Sequence, residues 1–341
     1  MFIIASTGMT HAEQRTRKLI LSGTDILRIN ICRRSMEKNK QLINNTDDVI
    51  DELHANTKIL LDMPYNKIIL GDFDIKIFST KENHELICKS ASYTPDCNEF
   101  IPIQIEKLGK KVKLNQTIMI GDGEIALLVI EIIDDETIKT RVLNSGSIRY
   151  MRTINIVDTT ILENIITKFE DASTAIYGLE FHYLSIPYIE KKINEEIKKI
   201  FTKLKNEQKI KIIIKIENTN GLNDIQTILS DPFYDIIMFH RGDMGVTLPY
   251  EKVGILQKKI TDYCRSLKKP LIIATNVLES TVKTFIPSHA DISDLTNMFL
   301  DGVDGIQFSI ETGIYSRPAY TISVAKKIIS EAKKYKQSLT I

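Results

Sequence analysis

Ile210–Asn218 reads IKIIIKIEN, an almost unbroken isoleucine run that finishes on a lysine and a glutamate two residues apart. A strand buried on both faces has this composition because neither side of its sheet meets water, and such strands belong to parallel sheets covered by helices. Seven further runs share the character: Phe2–Ser6, Asp25–Asn30, Lys58–Met63, Tyr177–Ser185, Tyr234–Phe239, Pro270–Thr275 and Gly302–Ser309. Segments of helical period separate most of them, among them 187–205 and 249–268, and one at 318–335 follows the last. Repeated strand-plus-helix units of this kind predict an α/β chain closed into a (β/α)8 TIM barrel.

One connection breaks the rhythm. Between Met63 and about Asn155 the chain alternates with period two and is punctuated by Gly71-Asp72, Gly109, Gly121-Asp122-Gly123 and Asn144-Ser145-Gly146 instead of forming a helix. This predicts a small β domain, shaped as a β-barrel-like lid, inserted after strand 3. The expected boundaries are 1–63 and 155–341 for the barrel and 64–154 for the insert, with nothing after the last helix to build another domain.

Composition excludes several classes of function. With 45 basic and 44 acidic side chains and no block of one sign, neither a nucleic-acid-binding tail nor a membrane-seeking face is expected. Cys32, Cys88, Cys97 and Cys264 form no C-x-x-C pair and have no clustered histidines beside them, so free thiols at or near the surface are expected, not disulfides or zinc. The opening residues lack a basic lead and a long apolar core, and no later segment is apolar enough to span a bilayer, so a cytoplasmic protein is expected.

In such a barrel the working groups sit where strands end, and here those ends are charged. Lys215 and Glu217 lie two apart on an extended segment, hence on one face. They are either part of a site or an internal ion pair that holds the barrel closed, and the residues alone leave both open. The sixth run leads into Arg241, Gly242 and Asp243 at a turn whose backbone N–H groups are expected to approach an anion. Glu217 and Asp243 together are a carboxylate pair suited to a divalent ion such as Mg²⁺ or Mn²⁺. Other strand ends supply Arg28, Asn30, Asp62, Thr275, Ser309 and Glu311, and an arginine's planar fork matches two phosphate oxygens.

The strings KIENTNGLNDIQTIL, IIMFHRGDMGVTLPYEKV, KKPLIIATNVLES and DISDLTNMFLDGVDGIQFSIET resemble, in order and spacing, the barrel motifs of the pyruvate kinase family. LILSGTDILRIN, LLDMPYNKIILG and IGDGEIAL agree more loosely with its second strand, third strand and inserted domain. The resemblance implies Mg²⁺-dependent phosphoryl transfer between phosphoenolpyruvate and a nucleoside diphosphate such as ADP, giving pyruvate, without the family's C-terminal regulatory domain. It implies Glu217 and Asp243 as metal ligands, and Lys215 as the cation that neutralises the phosphoryl group. Gly242, Asp243 and Thr275 would hold the oxo-acid carboxylate, Arg28 the phosphate, and Asn30 and Asp62 a monovalent cation such as K⁺. Arg33, Asp122 and Arg152 fall to the nucleotide side, and Thr275, Ser309 and Glu311 to a proton relay. A homodimer through the helices after strands six and seven is also implied.

Departures from the family pattern lie around the phosphate and the cation. Ile69 stands where the family has a second phosphate-binding arginine, and Cys32 where it has a serine; Lys67 occupies a position where some members carry a lysine in place of K⁺. His240 and His289 read as packing or interface substitutions, and Ile314 replaces a lysine. The altered phosphate surroundings open two alternatives: enolate chemistry on pyruvate or a related 2-oxo acid, of lyase, aldolase or decarboxylase type, and a non-catalytic protein on the same scaffold.

Overall fold

The computed structural model describes residues 1–7, 13–31, 35–63, 68–75, 77–121, 123–149, 152–156 and 165–339. By internal contacts the chain divides into two compact units, Met1–Tyr65 with Asn164–Met244 and Glu251–Ile341, and Asn66–Glu163 with Gly245–Tyr250.

The first unit is a closed parallel barrel whose strands, among the described residues, are β1 (Phe2–Ser6), β2 (Ile26–Asn30), β3 (Lys58–Asp62), β4 (Tyr183–Pro187), β5 (Lys211–Ile216), β6 (Ile236–His240), β7 (Leu271–Ala274) and β8 (Gly305–Phe308). Each pairs with the next in sequence and β8 returns to β1. Alternate residues face the barrel axis, where Ile4, Ile26, Leu60, Ile213, Ile236, Met238, Ile272 and Ala274 pack into one apolar cluster. Two residues beyond this layer the same inward face changes character. Ser6, Arg28, Asp62 and Lys215 follow Ile4, Ile26, Leu60 and Ile213 in phase, and His240 follows Met238. An apolar plug under a charged rim is therefore a direct result of the period-two pattern.

The remaining residues of each strand face the helices. Ser288 starts the helix His289–Asp301, its hydroxyl accepting the Asp291 N–H at 3.1 Å, and Gly302 ends it at φ +93°. That cap is why the eighth strand begins at Gly305 and not at Gly302. Strand four likewise begins at Tyr183, not Tyr177, because residues 177–182 form a turn around Gly178 at φ +81°. Pro187 closes that strand instead of opening a helix, and the helix runs over Lys191–Gln208.

Gly305 pairs with Phe2 across the seam where the barrel closes, and a Cβ built there would lie 2.3–2.7 Å from Phe2 ring carbons. Gly305→Ala is therefore expected to destabilise the protein by about 1–3 kcal/mol, read as a lower urea midpoint with an unchanged m-value.

The second unit is built on a seven-stranded sheet in the order Ile68–Ile69, Thr153–Ile156, Thr117–Ile120, Ile125–Ile132, Thr137–Val142, Glu85–Ser90 and Ile101–Ile103, antiparallel except for its last pair. Its own core includes Leu70, Phe73, Ile118, Leu127, Val129 and Ile138. A single helical turn, Leu108–Lys111, interrupts the strands. Cys88, Cys97 and Cys264 are free thiols as expected, but they are buried, not superficial; burial pushes the Cys88 thiol up to about 12, which makes it inert. Cys32 lies outside the described residues.

Candidate functional site

The barrel register brings the charged strand ends level. Asn30 pairs with Asp62, Asp62 with Ser185, and Pro187 with Lys215, so residues far apart in sequence meet on one rim. Asp62 is the hub. Its Oδ1 lies 3.0 Å from Lys215 Nζ and accepts the Ser185 hydroxyl at 2.6 Å, while its Oδ2 accepts Arg28 Nε at 3.0 Å and a second guanidinium N–H. Arg28 also donates to Ser6 Oγ at 2.9 Å. Burial alone would raise the Asp62 pKa, but the charges of Lys215 and Arg28, with the Ser185 hydrogen bond, hold it well below the usual carboxylate range. Expected in a monovalent-cation region, Asp62 has both oxygens on protein cations. Two positive groups share this one carboxylate, and Glu217 stands 3.8 Å from one of them.

Lys215 leans toward Asp62, not toward its sequence neighbour. Its ammonium is 3.8 Å from Glu217 Oε2, and Glu217 Oε1 is buried with no hydrogen-bond partner among the described residues. Lys215 and Glu217 are thus a long ion pair, with the close contact of the ammonium made to Asp62. Glu217, His240 and Asp243 each present a ligand atom within 4.8 Å of the others. His240 Nδ1 stands 2.9 Å from Asp243 Oδ2 without the alignment of a hydrogen bond. A buried carboxylate oxygen left open beside a second carboxylate is the donor set a divalent ion needs, so these residues fit one. His240, expected to be a packing or interface substitution, stands beside these two carboxylates. Its phase with Met238, two residues earlier, becomes a signal only once the barrel shows Met238 facing inward.

Arg241 and Gly242 also depart from expectation. They begin a helical turn, Arg241–Thr247, and the Gly242 N–H, expected to be open to an anion, donates to Thr275 Oγ1 at 2.8 Å. The Arg241 guanidinium donates to the carbonyls of Thr275 at 3.2 Å and Asn276 at 2.6 Å and pairs with Asp294 at 2.8 Å. What these bonds secure is unusual backbone: Thr275 and Asn276 hold φ of +70° and +53°. For a β-branched residue such a conformation costs about 1–3 kcal/mol and persists only where its surroundings fix it. The threonine hydroxyl, which also donates to the Ala274 carbonyl at 2.6 Å, is thereby locked at the rim.

Ser309 and Glu311 lie after β8. Glu311 is almost wholly buried, and its Oε2 accepts the Ser309 N–H at 2.7 Å. Burial pushes its carboxyl up to about 7 although backbone N–H groups pull the other way. A carboxyl raised in the folded state favours the folded state while protonated, so stability falls as pH climbs from the unfolded value of about 4.5 through 7, by about 3 kcal/mol. Glu311→Gln is expected to remove that slope. Urea midpoints at pH 5 and pH 8 should show the variant gaining on the parent at the higher pH.

Arg152 belongs to the second unit, where it forms a salt bridge with Glu124, its Nε donating to Glu124 Oε2 at 3.0 Å. Asn30 ends β2 at the rim. Arg33, Lys67 and Asp122 lie outside the described residues.

Comparison with known proteins covers nearly the whole chain. Residues 2–322 match the family model described as pyruvate kinase, barrel domain. The pyruvate kinase of Thermotoga maritima is 30% identical over 340 residues, covering 97% of this chain and 71% of that protein. That of Thermococcus litoralis is 29% identical, covering 99% and 70%. Among solved structures, Cryptosporidium parvum pyruvate kinase in complex with ADP superposes with a TM-score of 0.87 at 26% identity, covering 97% of this chain and 68% of that one. A barrel match over nearly the whole chain, with charged strand ends where the motifs fall, places this chain in the pyruvate kinase family.

Proposed function

We propose that the chain is a phosphotransferase of the pyruvate kinase type, moving a phosphoryl group between phosphoenolpyruvate and a nucleoside diphosphate such as ADP, with pyruvate as product. The observation that carries this is a buried lysine held by Asp62 at 3.0 Å, beside a glutamate whose Oε1 is open. Phosphoryl transfer asks a protein for positioning and for positive charge against spreading negative charge, with little covalent work of its own. Glu217 and Asp243 would hold a divalent ion, Mg²⁺ or Mn²⁺, which supplies much of that charge when bound. Lys215 adds an ammonium whose direction Asp62 fixes, and Arg28 a second cation held in place by Asp62 and Ser6.

Thr275 presents a fixed hydroxyl to the oxo-acid, and Arg241 and Gly242 serve it by holding its backbone. Glu311, with a carboxyl near neutrality, can hold the proton that an enolate must gain, with Ser309 and Thr275 as relay hydroxyls. Ile69, Arg152 and the residues Arg33 and Asp122 belong to the nucleotide and phosphate side of this reading. No described helix is long and apolar enough to cross a membrane; a cytoplasmic site of action is part of the same reading. A homodimer through the helices after strands six and seven is part of the same reading; Phe285 and Ile286, in the exposed segment before the helix His289–Asp301, depart from the family pattern there.

A coupled assay should show pyruvate formation that needs phosphoenolpyruvate, a divalent ion and a diphosphate together. Absence of pyruvate above a Glu217→Ala control, across several diphosphates, would remove the proposal. A second reading, enolate chemistry on a 2-oxo acid, is favoured by Ile69 in place of the second phosphate arginine. Its mark would be solvent deuterium entering the pyruvate methyl group with Mg²⁺ and no nucleotide.

A further inference from the structure

His240 ends β6 on the inward face, and the parallel register that pairs Lys215 with Met238 and Ile216 with Phe239 sets it level with Glu217 on the neighbouring strand. Its imidazole is largely buried, and its Nδ1 has no hydrogen-bond partner among the described residues. A histidine that only packs would normally satisfy its buried ring nitrogen. Here the nitrogen faces Asp243 Oδ2 at 2.9 Å, out of hydrogen-bond alignment. Adjacent ligands on an octahedral ion with bonds of about 2.1 Å lie about 3 Å apart, and opposite ones about 4.2 Å. The 2.9 Å spacing, and the 4.8 Å limit that encloses the ligand atoms of Glu217, His240 and Asp243, suit three positions around one ion. The second observation pointing to a ligand is Glu217 itself, a member of the same cluster, 4% exposed, with Oε1 buried and without a hydrogen-bond partner among the described residues.

We propose that His240 is a third protein ligand of the divalent ion, and that it shifts the site's preference from Mg²⁺ toward an ion that accepts nitrogen, Mn²⁺ or Co²⁺. The inference rests on the reading of Glu217 and Asp243 as a divalent-metal pair and adds to it. Mg²⁺ takes oxygen ligands and sheds water reluctantly, whereas first-row transition ions bind nitrogen donors with an affinity that rises from Mn²⁺ to Co²⁺. A neutral imidazole also adds a ligand without adding negative charge to a site that already holds two carboxylates.

The test uses the full chain and metal binding, not turnover. Pulsed electron paramagnetic resonance of bound Mn²⁺ should show coupling to a ¹⁴N nucleus in the parent protein and none in His240→Ala. Calorimetric titration should show Mn²⁺ affinity falling about tenfold or more in that variant, with Mg²⁺ affinity changed far less. His240→Gln, which keeps the bulk of the side chain, should behave like the alanine variant.

Mn²⁺ bound without nitrogen coupling, or coupling that persists in both variants, would overturn the inference and leave the carboxylate pair standing. Failure of Mn²⁺ to bind the parent protein, or binding indifferent to Glu217→Gln, would overturn the metal centre itself and this inference with it.

Discussion

Glu217→Gln is expected to lower kcat/KM for pyruvate formation by a thousandfold or more, about 4 kcal/mol at the barrier, while leaving the fold as stable as before. The first half follows from the metal pair. A glutamine offers one weak oxygen where a carboxylate offered two charged ones, so the ion and its positive charge are lost from where phosphoryl transfer needs them. The second half follows from what Glu217 does in the folded chain. Its Oε1 is buried with no hydrogen-bond partner among the described residues, and Lys215, at 3.8 Å, prefers Asp62.

Removing a buried charge that the apo protein does not pair well costs little and can stabilise by about 1 kcal/mol. Activity and urea midpoint, measured on one preparation, separate the two readings of this side chain. Loss of activity with stability retained marks a functional carboxylate. Parallel loss of both would return Glu217 to the structural ion pair.

Asp62→Asn should show a different pattern, with large losses in both. Asp62 neutralises Arg28 and Lys215 together, and all three side chains are largely buried. An asparagine leaves two cations facing a neutral amide, and breaking a buried pair from one side costs about 3–5 kcal/mol. Chemical denaturation should record that loss. Lys215→Met in the Asp62→Asn background should recover part of it, because the uncompensated ammonium is then gone, and the double-mutant cycle measures their coupling.

An acid titration gives a second measurement. Because Lys215 and Arg28 depress the Asp62 pKa in the folded state, its contribution is fully present above the unfolded value of about 3.9 and is lost as pH falls below it. The asparagine variant should therefore lose less stability than the parent between pH 4 and pH 2. Equal acid limbs would show that Asp62 is not the hub described here.

The parts of the molecule that were readable beforehand share a physical cause. IKIIIKIEN announces a strand buried on both faces because isoleucine on successive residues has no other comfortable place, and the other runs follow the same rule. Lys215 and Glu217 share a face by the two-residue period of any strand, whatever surrounds it. The errors at strand and helix ends came from caps. Gly178 and Gly302 adopt positive φ and Pro187 closes a strand, choices an apolar pattern does not record.

The partnerships were a different matter. In a strand that is apolar on both sides, such as IIMFH, the pattern hides which residues look inward, so His240 was indistinguishable from a packing residue until the register with β5 set it beside Glu217. The Arg241-Gly242-Asp243 turn was expected to turn backbone N–H groups toward an anion; the Gly242 N–H instead meets Thr275, and the Arg241 side chain holds the left-handed backbone of Thr275 and Asn276.

By itself, the sequence determined the eightfold alternation, the inserted β segment and the charged strand ends, since each is a matter of local period and residue type. Only the tertiary structure decided that Lys215 belongs to Asp62, that Glu217 keeps an open oxygen and that His240 joins it. Those outcomes depend on distances of a few ångströms between strands far apart in the chain, where burial and Coulomb energy act through space and sequence spacing carries no record of either.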